Sequence, residues 1–253
     1  MKITFLGTGT SQGVPVIGCG CTVCKSVDER DKRLRSSVLI EQGEQYVVID
    51  TGPDFRQQML RSDVSKLNAI LFTHGHRDHI SGLDDIRAFN YLMKSPMDVF
   101  AEERVVRALY SGFPYVFAEK KYPGIPQVRM HTITNDSFYI GDIKVIPIRM
   151  MHYRLPVLGF RLGDFAYLTD ANFIPEVEKE KLFDVKYLVV NALRRESHIS
   201  HFTLSEAISL IEELSPRKGY LTHISHQMGL VADLEKELPS RIQPAYDGLV
   251  LDL

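Results

Sequence analysis

The segment Thr73-His74-Gly75-His76-Arg77-Asp78-His79 (the histidine segment) places three histidines and one aspartate within six residues of each other. The residue frequencies of the chain predict about 0.0007 chance occurrences of the pattern H-x-H-x-D-H, so coincidence explains it poorly. Neutral imidazoles and a carboxylate are ligands that suit zinc or manganese. We therefore interpret the segment as part of a divalent-metal site rather than as a group of surface histidines.

An apolar strand predicted over residues 68–72 leads into the histidine segment. If the strand stays extended, His74 and His76 point the same way because strand side chains alternate. If the chain then turns, Asp78 and His79 face a second point nearby. Four ligands are too few for two metals, so further ligands are expected elsewhere.

Three later candidates each follow a predicted apolar strand: His152, Asp170 and His223. Loops that follow packed strands are frequent positions for functional residues. One such residue alone would usually be an ordinary polar group at a strand end. Three of them in the same context, in a chain that also holds the histidine segment, favour a metal site with contributions from distant parts of the sequence.

All three cysteines, Cys19, Cys21 and Cys24, lie within six residues. An odd number of cysteines suits a reducing compartment and a metal site better than a disulfide framework. Structural zinc takes four ligands, and His226, three residues after His223, is the best candidate for the fourth. We expect a zinc knuckle at about residues 18–27; reduced cysteines or a redox pair are the alternative.

The whole-chain properties narrow the function classes. The 253 residues are 44% hydrophobic and 25% charged, as in ordinary globular proteins. The net charge of −2 argues against a general binder of nucleic acid or membrane surfaces. The sequence contains neither a long apolar run nor a signal-peptide pattern, so a cytoplasmic location is expected.

The periodicity predicts two runs of strands, each followed by helices, which favours two packed sheets with helices outside. Without repeats or linkers, one domain over residues 1–253 is the simpler prediction. Residues 111–126 are predicted to be a loop, and the aromatics of 113–122 could form a lid or a homodimer contact. The charged run 28–35 is interpreted as a solvated face. The strands are expected at 3–6, 37–40, 46–50, 68–72, 128–133, 137–140, 143–148, 159–162, 165–169, 187–190 and 219–222, and the helices at 54–61, 83–92, 102–111 and 203–214.

The histidine segment, the later His, Asp and His, and Asp50-Thr51-Gly52 after an early strand together resemble the metallo-β-lactamase superfamily. This resemblance implies an α/β fold, an αββα sandwich of two mixed β-sheets flanked by helices. It also implies a dinuclear site: His74, His76 and His152 on one metal, Asp78, His79 and His223 on the other, and Asp170 bridging both. Asp50 would orient a ligand or simply form a turn.

The three cysteines, the glycine-rich loop 7–13 and Thr222-His223-Ile224-Ser225-His226-Gln227 resemble the PhnP-type phosphodiesterases, which cleave cyclic ribose phosphates. The resemblance implies a structural zinc on Cys19, Cys21, Cys24 and His226. It marks His201 as a general acid, so that His201 and the metal ligand Asp78 are the expected catalytic residues. It further implies that a hydroxide held by two divalent ions, zinc or manganese, hydrolyses a small cyclic phosphodiester.

Other functions on the same scaffold are a ribonuclease Z-like nuclease, a thioester hydrolase, a lactamase or a metal-binding module without catalysis. The fold alone does not decide among them. The near-zero net charge favours a small phosphodiester over a long nucleic acid. The presence of all seven expected ligands disfavours a module that has lost its chemistry.

Overall fold

The computed structural model describes residues 1–120 and 122–253, and the chain divides into two compact units. The first unit comprises Met1–Leu6, Ser37–Thr134 and Val250–Leu253, and the second comprises Gly7–Ser36 and Asn135–Leu249. Each unit is built around one mixed sheet of seven strands with helices beside it. The prediction of two mixed β-sheets flanked by helices is confirmed, whereas the single domain stays a prediction.

The sheet of the first unit has the strand order β14-β1-β2-β3-β4-β5-β6. The pairs β3–β4, β4–β5 and β5–β6 are parallel, and β2 pairs antiparallel with β3. The sequence periodicity missed β5, the strand beside β4. The strands are β1 (Lys2–Gly7), β2 (Ser37–Gln42), β3 (Gln45–Ile49), β4 (Ala69–Leu71), β5 (Met97–Glu102), β6 (Val128–Ile133) and β14 (Val250–Asp252).

Helices of this unit bury their apolar faces in a core that includes Val48, Ile70, Phe72 and Val99. Residues 111–126 hold more structure than predicted, since α5 lies within them and Phe113 and Val116 are buried. The prediction of a plain loop there is wrong because these apolar side chains join the core; Lys121 lies outside the described residues. The helices are α1 (Phe55–Ser62), α2 (Arg77–Ile80), α3 (Arg87–Met93), α4 (Glu103–Gly112) and α5 (Pro114–Phe117).

The sheet of the second unit has the order β13-β12-β11-β10-β9-β8-β7, with parallel pairing from β10 to β13. Strands β10 and β11 are nearly continuous apolar runs, as expected for buried parallel strands. The strands are β7 (Phe138–Ile140), β8 (Ile143–His152), β9 (Leu155–Leu162), β10 (Phe165–Leu168), β11 (Tyr187–Asn191), β12 (Lys218–Thr222) and β13 (Ile242–Pro244).

The clearest helix of the second unit begins where the sequence predicts, because Thr203 and Glu206 form a reciprocal capping box. Its apolar residues, among them Ala207 and Ile211, join the core over the sheet. The helices are α6 (Glu176–Lys179), α7 (Leu204–Leu214) and α8 (Val231–Glu237), and a 3₁₀ turn covers His226–Met228. In the part of the chain that the structure describes, no helix is long and apolar enough to cross a membrane.

The charged run 28–35 is not a solvated face throughout, so that prediction is wrong. Asp31 and Arg33 are only 3% and 4% exposed. Oδ1 of Asp31 accepts a hydrogen bond from the backbone amide of Val231 at 2.9 Å, and Nη1 of Arg33 donates to Oγ1 of Thr8 at 2.8 Å. These buried contacts hold the N-terminal loop of the second unit in place.

Candidate metal centre

The histidine segment forms the connection between β4 and α2. Strand β4 ends at Leu71 and α2 begins at Arg77 with His76 as its N-cap residue, so the strand does not extend through the histidines. The turn nevertheless brings the rings together. The ring centroid of His74 lies 4.6 Å from that of His76 and 4.2 Å from that of His79.

The candidate ligands of the histidine segment differ in burial: His74 and His79 are buried, Asp78 is half-buried and His76 is exposed. Nε2 of His79 lies 3.2 Å from Oδ2 of Asp78. Two ligand atoms about 2.1 Å from one zinc ion are about 3.0–3.4 Å apart at the usual angles. The spacing of this pair therefore fits two ligands of one divalent metal.

Asp50 lies behind the histidine segment at the end of β3 and is fully buried. Its Oδ1 accepts a hydrogen bond from the amide of Thr73 at 2.9 Å, and its Oδ2 accepts from Oγ1 of Thr73 at 2.8 Å and from Nδ1 of His79 at 2.7 Å. Burial raises the pKa of Asp50, although His79 and Thr73 act in the opposite direction by stabilising the carboxylate.

These bonds also assign the protons of two histidines. The Thr73 hydroxyl donates its one hydrogen bond to Asp50, so it accepts a hydrogen bond from Nδ1–H of His74 at 3.0 Å. Both His74 and His79 thus carry their proton on Nδ1, which leaves Nε2 as the atom with ligand capacity. A partner that fixes the tautomer in this way is typical of metal-binding histidines.

The second unit holds another group of candidate ligands, at the ends of β8, β10 and β12. His152, Asp170, His201 and His223 are all buried, and Oδ1 of Asp170 lies 2.9 Å from Nδ1 of His223. One ligand atom from each of His152, Asp170 and His201 lies within 4.8 Å of the other two. Asp170 and His223 have left-handed backbones, with φ of 56° and 55°, a conformation that persists mainly where surrounding structure enforces it.

His201 lies among three other histidines in this unit. Its ring centroid is 4.6 Å from that of His152, 4.8 Å from that of His223 and 5.1 Å from that of His198. Burial, followed by the neighbouring His223, lowers the pKa of His201 to about 3. The imidazole is therefore neutral near pH 7, and proton donation from it requires a nearby negative charge such as a phosphate.

The three cysteines and His226 meet within the second unit. Their ligand atoms all lie within 4.8 Å of one another, and Nδ1 of His226 is 3.4 Å from the Sγ atoms of both Cys19 and Cys21. Tetrahedral zinc with ordinary Zn–S and Zn–N bonds would place sulfur and nitrogen about 3.6 Å apart. The donor types and their spacing fit a structural zinc ion.

The thiols of this knuckle (residues 18–27) differ in acidity. A hydrogen bond from the backbone amide of Cys24, followed by His226, lowers the pKa of Cys21 to about 6. Burial raises the pKa of Cys24 to about 11. A thiolate is the form that binds metal, so Cys21 is more ready to do so than Cys24.

Sequence reasoning missed two groups that support the candidate ligands. The Ser200 carbonyl accepts a hydrogen bond from Nδ1 of His152 at 2.9 Å, and Thr73 links His74 to Asp50. A backbone carbonyl leaves no trace in residue type. Thr73, by contrast, stands directly before the first histidine, and a hydroxyl there could have been weighed as a partner.

Comparison with known proteins places the chain in a family. The model of the beta-lactamase superfamily domain matches residues 45–224. A solved structure described as a new diphosphatase from the PhnP family has a TM-score of 0.93 and 40% identity, and the match covers 99% of this chain and 96% of that chain. The chain therefore belongs to the beta-lactamase superfamily. Within that superfamily it belongs to the PhnP family.

Two curated relatives carry different activities. An octanoyltransferase from Porphyromonas gingivalis is 41% identical over 252 residues, which are 98% of this chain and 51% of that protein. A ribonuclease Z from Nostoc sp. is 30% identical over 168 residues, which are 65% of this chain and 47% of that protein. The chain thus spans about half the length of these curated relatives, whose activities are those of the longer proteins.

Proposed function

We propose that the protein is a metal-dependent hydrolase of small phosphodiesters, cyclic ones included, with a dinuclear centre. The observation that carries the proposal is the two groups of His and Asp side chains, most of them buried, in a chain 40% identical over nearly its whole length to a PhnP-family diphosphatase. The superfamily implies divalent metal. The ligand types present, imidazoles and carboxylates, fit zinc or manganese.

The ligands proposed follow the superfamily pattern. His74, His76 and His152 would hold one ion, Asp78, His79 and His223 the other, and Asp170 would contact both. Divalent ions bound there would supply Lewis acidity for the phosphoryl oxygens and a water acidic enough to attack near neutral pH. Asp50 fixes the tautomers of two of these histidines through bonds of 2.7–3.0 Å and so presents Nε2.

His201 is the proposed proton donor to the departing oxygen. Burial lowers its pKa to about 3. A phosphodiester close to the ring would favour the charged imidazolium, and proton donation of this kind is worth typically 10²–10⁴-fold in rate. Asp78, which is half-buried, is proposed as the second catalytic residue, acting as a ligand of the metal.

The knuckle is proposed to hold a structural zinc on Cys19, Cys21, Cys24 and His226. With these four ligands its coordination would be complete, so it would lack the open position of a catalytic site. The knuckle would therefore stabilise structure and take no part in the chemistry.

Hydrolysis of a diphosphate is a second candidate, because the PhnP-family structure at 40% identity is described as a diphosphatase. The bridge of a diphosphate is a phosphoanhydride, in which water would attack one phosphorus and the other phosphate would leave, so the same residues would serve. The net charge of −2 favours a small molecule over the long nucleic acid of a ribonuclease.

A hydrolysis panel, with metal content measured on the same sample, tests the proposal. It contains bis(p-nitrophenyl) phosphate, 2′,3′-cyclic nucleotides, a ribose 1,2-cyclic phosphate, a nucleoside diphosphate conjugate, an octanoyl thioester and a β-lactam. We expect turnover of the phosphate esters or the diphosphate. Turnover of the thioester or lactam alone would overturn the proposal and favour acyl chemistry.

A further inference from the structure

The loop 193–202 between β11 and α7 (the His201 loop) supplies two groups to the proposed centre. The Ser200 carbonyl orients His152 through a 2.9 Å hydrogen bond, and His201 stacks on His223. The buried Nδ1 of His201 has no hydrogen-bond partner among the described residues. The position of its ring is therefore set by the backbone of the loop and by ring contacts, rather than by a bond to the ring.

The side chain of Arg194 holds this loop in its folded form. Its guanidinium donates to the Ser197 carbonyl at 2.8 Å, to the Glu196 carbonyl at 3.3 Å and to Oε1 of Gln227 at 3.3 Å. The first two bonds close the loop on itself, and the third ties it to the turn 226–228. The backbone amide of Ser225 adds a bond to the Leu193 carbonyl at 3.0 Å.

The turn 226–228 contacts both the knuckle and the His201 loop. Its first residue lies against the knuckle, and the next two contact the His201 loop. His226 lies 3.4 Å from two cysteine sulfurs. Oε1 of Gln227 accepts a hydrogen bond from Arg194, and the Met228 carbonyl accepts one from Nε of Arg195 at 3.0 Å. A turn of three residues thus joins the Cys₃His group to the loop that carries His201.

We propose that Arg194 is a positioning residue for His201, and that the knuckle acts on the proposed centre by holding the turn on which Arg194 rests. The inference builds on the proposed function, since His201 is its proton donor. If Arg194 had a purely structural role, its loss would lower the activity on all substrates alike. If Arg194 positions the proton donor, its loss lowers kcat most strongly for the substrates whose leaving group needs the proton.

The test compares Arg194→Ala, Gln227→Ala and Cys21→Ser in the full-length metal-loaded protein. Arg194 is half-buried and Gln227 is exposed, and neither belongs to the apolar core, so their substitution leaves the core intact. Gln227→Glu keeps an acceptor and serves as the conservative rescue. Arg241→Ala is the matched control, because Arg241 is half-buried like Arg194 and donates to a neutral hydroxyl, Oγ of Ser215, at 3.2 Å.

Two readouts are taken on each variant. The first is amide hydrogen exchange of peptides covering 193–204. We expect the exchange rate to rise about 3–10-fold, because each substitution removes about one hydrogen bond that holds the loop. The second is steady-state kinetics with a 2′,3′-cyclic nucleotide, whose alkoxide leaving group needs a proton, and with bis(p-nitrophenyl) phosphate, whose leaving group does not. We expect a lower kcat and unchanged KM for the first substrate, and little change for the second.

The proposal holds if Arg194→Ala and Gln227→Ala show both effects while Gln227→Glu and Arg241→Ala behave as wild type. It is overturned if exchange in 193–204 stays at the wild-type rate, or if kcat falls equally for both esters. A wild-type protein without activity on either ester would refute the phosphodiesterase activity on which this kinetic readout rests, and not the coupling. In that case the exchange data alone decide the coupling, which requires faster exchange in both Cys21→Ser and Arg194→Ala.

Discussion

Asp50 accepts three hydrogen bonds from the histidine segment, and through them it orients His74 and His79. The sequence left its role open between a ligand-orienting group and a turn former. The structure shows both properties, since φ of Asp50 is 63° and the carboxylate is buried against Thr73 and His79. A substitution that removes the negative charge but keeps the left-handed backbone separates the ligand-orienting role from the turn-forming role.

We predict that Asp50→Asn lowers the affinity for the active-site metals about 10–100-fold, the usual effect of losing such a partner. Asparagine tolerates the left-handed backbone, so the fold is retained. Metal titration of the apoprotein measures the effect. Asp63→Asn is the control, because Asp63 has a similar φ of 50° but is exposed. Equal affinity in wild type and Asp50→Asn would contradict the assigned role.

We predict that His201→Ala lowers kcat about 10²–10⁴-fold on a cyclic nucleotide, because the alkoxide then leaves without a proton. The loss on bis(p-nitrophenyl) phosphate should be much smaller. Steady-state kinetics at matched metal content measure both. His131→Ala is the control, because His131 lies on β6 and pairs with Asp98 at 2.8 Å rather than with the His201 loop. Full activity of His201→Ala on the cyclic substrate would rule out the proton-donor role.

At the scale of elements, strong periodicity gave reliable predictions and weak periodicity did not. Helix α7 was predicted to within one residue because its apolar stripe and its cap at Thr203 agree. Strand β5 was missed because Met97–Glu102 alternates in burial but not in residue type, and its short apolar run lies between two helical patterns. Helix α5 was missed because proline and aromatics suggested a loop, whereas Pro114 occupies the first turn of a helix, where it is tolerated.

The knuckle is an element that the cysteine spacing indicated and whose geometry fits zinc. We predict that Cys21→Ser lowers the zinc content by one ion per chain, because serine is a poor zinc ligand and Cys21 has the most acidic of the shifted thiols. Elemental analysis measures it. Ser26→Ala, in the same loop, should keep all the zinc, and unchanged stoichiometry in Cys21→Ser would refute the site.

Helix α6 is tied to β8 by the buried carboxylate of Glu178. It accepts hydrogen bonds from the Arg149 amide at 2.8 Å and from Nδ2 of Asn135 at 2.6 Å, and it pairs with Lys181 at 2.8 Å. Desolvation, the largest single influence, raises the pKa of Glu178, but Lys181 and these hydrogen bonds together outweigh it, so the pKa lies below its ordinary value.

We predict that Glu178→Gln lowers the free energy of unfolding by about 1–3 kcal/mol at pH 7. Because the folded pKa is the lower one, the carboxylate stabilises the fold above the ordinary glutamate pKa of about 4.3 and loses this effect as pH falls through the folded pKa. Urea unfolding should therefore show the gap to wild type closing in acid. The exposed Glu213 provides the control, Glu213→Gln, and a gap independent of pH would contradict the account.

At the scale of the whole molecule, the sequence predicted the candidate metal ligands better than it predicted the groups that hold those ligands in position. Side chains such as Cys19 and His226 were predicted because metal chemistry selects the residue type, and the structure brings them together. The Ser200 carbonyl and the burial of Asp31 and Arg33 could not be predicted. They depend on long-range packing, which turns a charged run into a buried one.

The central claim is that bound divalent metal enables this chain to hydrolyse a phosphodiester. The most direct measurement reloads the metal-free protein stepwise with zinc or manganese and follows hydrolysis of a 2′,3′-cyclic nucleotide against metal bound per chain. We predict no turnover without metal and a rate that rises until the active-site ligands are saturated. A rate independent of metal, or no hydrolysis at full loading, would contradict the claim.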